Sequence, residues 1–338
     1  MTPVAVAAAT VILLLASSTR ADDKPPGKEN APGVGLILHA SHMRDDVSDQ
    51  FAQMVAVDPE SGECRRVYSV VTHGRMSVDG RQIVYWKRSG RDAQERPGIY
   101  IQDTAEDAPP RLIFDRQGNP SWSHQGQKVV VSVDVGERKY ETWRFNVDGT
   151  APTKLPVPET DLVFDCSDDG NWLAARTMSG DPALRGRLTL FHPDGGGHRA
   201  LTEGSAAGDR FVIPRISPDA RQVAYTEIIT KKEIRTSRLC IVDVDGNNLR
   251  QIAVPFEPDI TAQVCWAPDG KRLAVNAINL SASSAWIGIV DIERQSFRKL
   301  PVVVQTLPRL APLEEALEPP NRGQPEFEGW FLRICDWR

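Results

Sequence analysis

The side chains best suited to chemistry are the six histidines, His39, His42, His73, His124, His192 and His198. Imidazole is the commonest metal ligand and acid–base group. His39, His42 and His73 fall close enough along the chain to invite one metal. No spacing rule brings them together, and they read as polar loop residues. His124, His192 and His198 occupy short turns and read as solvated. There is no GxSxG, HExxH or GxxxxGK[ST], so a nucleophile elbow, a zincin site and a P-loop have no sequence support. Asp243-Val244-Asp245-Gly246 opens like a calcium loop, but the twelfth position is Val254 where a bidentate Glu is needed. It reads as a turn. Cys64, Cys166, Cys240, Cys265 and Cys335 contain no CxxC pair, and their odd number leaves at least one thiol unpaired. They read as small buried residues. The expectation is no catalytic residue, no cofactor and no metal.

The surroundings of these residues are those of an ordinary globular chain. It has 338 residues, 25% charged and 41% hydrophobic, with a net charge of -5. Disorder, collagen and coiled coil are excluded as global classes. A mildly acidic chain offers no electrostatic case for nucleic acid. Eight Trp and ten Phe can fill a core, and 25 Gly with 25 Pro fit many turns.

Residues 4–16, VAVAAATVILLLA, match a signal-peptide h-region. Thr19 and Ala21 are small residues at −3 and −1, so cleavage after Ala21 is expected. Residues 1–21 read as a signal peptide and 22–33, DDKPPGKENAPG, as a flexible linker. No later run reaches the ~18 apolar residues of a membrane span. The expected location is periplasmic or secreted, with no span after cleavage. Asn279-Leu280-Ser281 is a glycosylation sequon, meaningful in a eukaryotic setting.

From residue 34 onward the chain repeats. RMSVDGRQIVY, SWSHQGQKVVV, DCSDDGNWLAA, RISPDARQVAY and CWAPDGKRLAV share one register. Their bulky anchors are Met76, Trp122, Cys166, Ile216 and Trp266, spaced 46, 44, 50 and 50 residues apart. Asp-Gly-type turns tolerate positive φ and lead into β-branched strands. A second module follows each time. In it Asp58, Asp103, Asn146, His192, Asp243 and Asp291 each precede an aliphatic closing residue by nine. Four strands per repeat at this period make a propeller blade. The predicted fold is all-β, one six-bladed propeller of four-stranded antiparallel blades over residues 34–338. No inner strand precedes Gly35, and Trp337 stands where Trp122 and Trp266 stand. The C-terminal strand is therefore expected to close the ring inside blade one. Trp122, Trp143, Trp266 and Trp337 are expected in the core rather than on a sugar-stacking surface.

The pattern W-S/A-P-D-G-x-x-I/L-A followed by I-x-V-D-x-D-G resembles the WD-like repeats of the TolB-type propeller family. CWAPDGKRLAV with GIVDIERQSFRKL, and RISPDARQVAY with CIVDVDGNNLRQI, carry it best. The resemblance implies a six-bladed propeller across the mature chain. It says little about function, because many unrelated proteins reuse the repeat. TolB carries a separate α/β domain before its propeller, and here only a twelve-residue linker precedes the first strand. Partners of the Tol system, such as the peptidoglycan-associated lipoprotein, are therefore not carried over.

Function then falls to the loops. The A–B and C–D connections read as short, the B–C and D–A connections as long and irregular. The B–C stretches SHMRDDVSDQ, KRSGRDAQERPG, DVGERKYE, TMSGDPALRGR and ITKKEIRTSR are rich in cations. Arg44, Arg88, Arg91, Arg138, Lys231 and Arg235 are the candidate partner-facing residues. The expected role is a non-catalytic scaffold for a protein or an envelope polymer. The alternatives are a lyase or lactonase-like hydrolase using the central channel, or a partner propeller for a separate peptidase chain.

Overall fold

The computed structural model describes residues 35–42, 52–68, 74–87, 96–105, 108–204, 211–231, 234–256, 260–279, 284–301 and 330–337. The chain separates into two units, Met1–Ala31 and Pro32–Arg338. No residue of the first is described, so the expected signal peptide and linker lie outside the described residues.

Among the described residues of the second unit all regular structure is β. In chain order the strands are β1 (Leu36–His42), β2 (Ala52–Val57), β3 (Cys64–Tyr68), β4 (Gly74–Met76), β5 (Gln82–Lys87), β6 (Gly98–Asp103), β7 (Arg111–Phe114) and β8 (Asn119–Ser123). Next come β9 (Lys128–Gly136), β10 (Lys139–Asn146), β11 (Thr153–Lys154), β12 (Asp161–Cys166), β13 (Leu173–Thr177), β14 (Leu188–Phe191), β15 (Arg199–Ala200) and β16 (Phe211–Ile216). The remainder are β17 (Gln222–Lys231), β18 (Ile234–Asp243), β19 (Arg250–Ile252), β20 (Ile260–Trp266), β21 (Arg272–Asn279), β22 (Ser284–Asp291), β23 (Ser296–Leu300) and β24 (Trp330–Trp337). They form six four-stranded antiparallel sheets. Five are consecutive meanders; the sixth has the order β24-β1-β2-β3. β24 pairs with β1 from Leu36↔Trp337 to His42↔Trp330. The C-terminal strand thus supplies the inner strand of blade one.

Each repeat folds as it does for local reasons. Inner and second strands join through turns of the Ser-x-Asp-Gly kind, complete at Ser77–Gly80 and Ser167–Gly170 and varied by Ala220, Gln125 or Ala267 in the other copies. Ser77 and Ser217 each donate their hydroxyl to the Asp two residues on, at 2.6 Å. Gly80, Gly170 and Gly270 take the left-handed position that ends the turn, at φ 66 to 76. The strands that follow are aliphatic on both faces, because each blade is covered by a neighbour on either side.

Six apolar clusters result, each drawn from two adjacent blades, and they run round the whole ring. The last joins Cys265, Ala274, Ile287 and Leu300 of blade six to Leu36, Val55, Val57 and Trp337 of blade one. The anchors explain the preference for Trp. Trp122 and Trp266 are buried, and each donates its indole N–H to the inner strand of the blade before, to Arg75 O at 2.8 Å and to Arg215 O at 2.9 Å. A large apolar ring with one donor fits that place. Outer strands are short, two residues in β11 and β15, which limits edge-to-edge pairing.

The connections partly correct the sequence reading. DVGERKYE and ITKKEIRTSR are not long loops. β9 and β10 run on until only Glu137 and Arg138 separate them, and β17 and β18 pair as far as Lys231↔Ile234. β-branched residues such as Ile228, Thr230 and Thr236 keep these strands extended. The B–C end of the molecule therefore carries two extended hairpins.

Candidate functional site: the channel ring and the hairpin face

The residue just before each inner-strand anchor stands at one level of the ring's axis. These residues are Arg75, Ser121, Asp165, Arg215 and Cys265, each at most 8% exposed. A bulge between Val163 and Asp165 turns the Phe164 carbonyl inward. Arg75 Nη2 donates to that carbonyl at 3.0 Å and pairs with Asp165 Oδ1 at 3.1 Å. Arg215 Nη1 reaches the same carbonyl at 3.4 Å and Pro214 O at 3.0 Å. Ser121 Oγ donates to Asp165 Oδ1 at 3.1 Å, and the Ile216 amide donates to Asp165 Oδ2 at 2.8 Å. Both carboxylate oxygens are thus engaged, as a buried charge requires. Beside this knot lies a cavity of ≈ 40 Å³, lined also by Asp168, Ser217 and Cys265. That is room for a water or two.

These side chains bond chiefly to one another and form a polar plug across the axis. Burial pushes the Cys166 thiol at the cavity wall up to about 12, so it is no thiolate nucleophile. Ser123 Oγ and His124 Nδ1 are 2.7 Å apart, but Ser123 is 1% exposed and offers a substrate no access. Burial, then Lys128 and Arg144, push the His124 pKa down.

The expected site residues are distributed unevenly. Arg44, Arg88 and Arg91 lie outside the described residues, as does His73. His39 and His42 are in β1, and of their side chains nothing is described. Among the described residues, no three His, Cys, Asp or Glu are grouped to hold a metal ion. Arg138 stands at the tip of the β9–β10 hairpin, Lys231 ends β17, and Arg235 pairs with Thr230 near the start of β18. These three belong to the B–C end. At the first tip Glu137 and Arg138 both take left-handed backbone, at φ 54 and 60. Two-residue hairpins favour such angles and normally meet them with Asn-Gly. Here two long charged side chains hold them at a cost of ~1–2 kcal/mol per residue. Strain of this kind collects where a side chain must be presented.

Sequence reasoning missed the channel ring. The signal was present: the position before each anchor reads Arg, Ser, Asp, Arg, Cys and, before Trp337, Asp336. Four charged residues in six copies of one register position, inside an otherwise apolar repeat, mark a polar axis.

No family model matches the chain, and no curated protein matches it by sequence. Solved structures match its fold. TolB from Acinetobacter baumannii superposes with a TM-score of 0.59 at 13% identity, covering 79% of this chain and 63% of that one. A TolB-type protein from Agrobacterium tumefaciens gives 0.54 at 15% identity, covering 79% and 88%. The tricorn protease gives 0.53 at 15% identity over 80% of this chain but 26% of its own. The chain thus spans under two thirds of the Acinetobacter protein. At these identities the likeness is one of fold, and the fold is a β-propeller similar to that of TolB.

Proposed function

We propose that this is an exported, non-catalytic propeller that binds a protein or an envelope polymer through its B–C end. The observation that carries the reading is the β9–β10 tip, where Glu137 and Arg138 are held in strained backbone at an exposed position. A rigid ring crossed by the Arg75–Asp165 knot is a suitable base for such a tip. The Arg75–Asp165 pair and its partners occupy the channel groups among themselves, which favours binding over chemistry there. The apolar N-terminal stretch supports export, and the TolB-like fold agrees with that placement.

Capture from an envelope extract tests this reading. The protein with Arg138→Ala, Lys231→Ala and Arg235→Ala should fold normally, since removing single charges at hairpin ends costs little, ~0–1 kcal/mol for an ion pair, and should lose its partner. Undiminished capture by the triple variant would remove the hairpin face from consideration.

A further inference from the structure

Each blade leaves one edge of its outer strand unpaired, and the six edges are not alike. β11 and β15 are two residues long, β19 three and β7 four. β3 and β23 run for five, and the side chains of β23, Ser296–Leu300, are described. The repeat fixes which main-chain groups of β23 face outward. In blades three and four the closing leucine donates its N–H to the third strand, Leu155 to Thr142 O and Leu201 to Leu188 O, both at 2.8 Å. Leu300 holds the same repeat position, opposite Ile287. Antiparallel residues alternate, so Ser296, Arg298 and Leu300 bond to β22, while Phe297 and Lys299 turn both N–H and C=O away from it. Among the described residues, nothing pairs with those outward groups.

The side chains on this edge are not those of a merely solvated rim. Phe297 is half-buried, and Gly288 makes room for it, since a Cβ there would run into the Phe297 ring. Phe297 meets the Trp286 ring edge-on at 5.5 Å between centroids, and Phe256 of the neighbouring blade stacks on Trp286 at 6.0 Å. Lys299 is exposed, with its ammonium 5.1 Å from the centre of the Trp286 ring. Among the described residues no carboxylate pairs with it. Arg298, on the opposite face, is already engaged by Pro59 O and Glu60. An aromatic floor and a cation without a counter-ion thus share one face of an unpaired strand.

We propose that β23 is a docking edge for an extended acidic segment of a partner protein, which adds to blade six as a fifth strand. The partner's main chain completes the hydrogen bonds of Phe297 and Lys299, as in other strand additions. On the face those two share, an apolar residue lies opposite Phe297 and an Asp or Glu opposite Lys299, two positions apart. A second copy of this chain fits badly, because β23 against β23 sets Arg298 and Lys299 against their duplicates. Lysine on an edge guards against that pairing, and it is no barrier to an acidic strand. Arg138, Lys231 and Arg235 take no part, so this surface is separate from the hairpin face.

Ligand-observed NMR titration of the full-length protein tests the inference with three peptides. They are acetyl-Thr-Glu-Thr-Val-Thr-amide, its counterpart with Lys in place of Glu, and the glutamate peptide N-methylated at Glu and Val, whose N–H groups meet β23. The glutamate peptide should bind saturably, the lysine peptide more weakly, and the N-methylated peptide about tenfold more weakly or worse. Lys299→Glu should invert the preference between the first two. Lys299→Pro, tolerated on an edge whose N–H faces solvent, should weaken the glutamate peptide about tenfold or more. Melting curves confirm that both variants fold. The hairpin-tip triple variant should bind the glutamate peptide as the parent does, so the two surfaces can fail separately. No saturation by the glutamate peptide, equal binding of the N-methylated form, or an unchanged preference in Lys299→Glu would each overturn the proposal. A parent dimer that Lys299→Pro dissolves would give the edge to a second copy and overturn it as well.

Discussion

Asp161 shows how much a single side chain can reveal. Burial raises its pKa, and Thr177, His198 and Arg187 offset that only in part. Its folded-state pKa therefore lies above the ordinary aspartate value of 3.8. The folded protein binds the proton more tightly than the unfolded chain, so the ionised form weighs against folding at neutral pH. That burden fades as pH falls through the folded pKa and is gone below the ordinary value. Asp161→Asn, which cannot ionise, should melt above the parent at pH 7 and level with it in acid. Melting curves across that range check the sign; a variant less stable at pH 7 would show that the carboxylate is compensated after all. Arg176, in the same part of the molecule, shows the same cost from the cationic side. Burial pulls its pKa down to about 10 while the Phe164 ring and Met178 Sδ lie against the guanidinium.

At the scale of elements, outer strands repeat a small device that the ring's last joint converts into charge. Arg111 donates to Val147 O at 2.7 Å and Arg199 to Val244 O at 2.6 Å, each reaching the next blade. In blade six the corresponding Arg298 reaches blade one, donating to Pro59 O at 2.6 Å and pairing with Glu60 at 2.7 Å. Arg272 pairs with the same carboxylate at 3.0 Å and lies 5.1 Å over the Trp337 ring. The joint between first and last blades is thus latched by one exposed carboxylate held by two guanidiniums. Glu60→Gln should lower the melting temperature at low salt, through a stability loss of about 1 kcal/mol or less, and the deficit should shrink at high salt as screening takes over. A deficit independent of salt would mean that Glu60 acts through packing. The strand pattern itself was legible, because Asp-Gly turns and a bulky anchor recur at fixed offsets. The hairpins were not. Between Ile228 and Thr236 polar and β-branched residues mix, and composition alone reads as loop until cross-strand pairing is counted.

For the whole molecule, ring closure follows from Trp337 matching Trp122 and Trp266 in register, which the sequence displays directly. The polar axis was legible only in principle, since its groups meet only once the blades close into a ring. Closure also has an energetic consequence. Ending the chain at Gly329 removes β24 and its pairing with β1. It also removes Trp337, which is 1% exposed in the seam of blades six and one. Truncating one such Trp alone typically costs ~3–5 kcal/mol. The shortened protein should therefore melt far below the parent; an unchanged melting temperature would contradict closure as the source of stability.

The proposed binding role rests on the β9–β10 tip, and replacing Glu137-Arg138 by Asn-Gly tests it most directly. Asn-Gly adopts the observed left-handed angles without strain. If the tip holds its strain in order to present Arg138, the Asn-Gly protein should melt at or above the parent temperature and yet capture less partner from an envelope extract. Full capture by that more relaxed tip would contradict the account, because the strained residues would then serve neither stability nor binding.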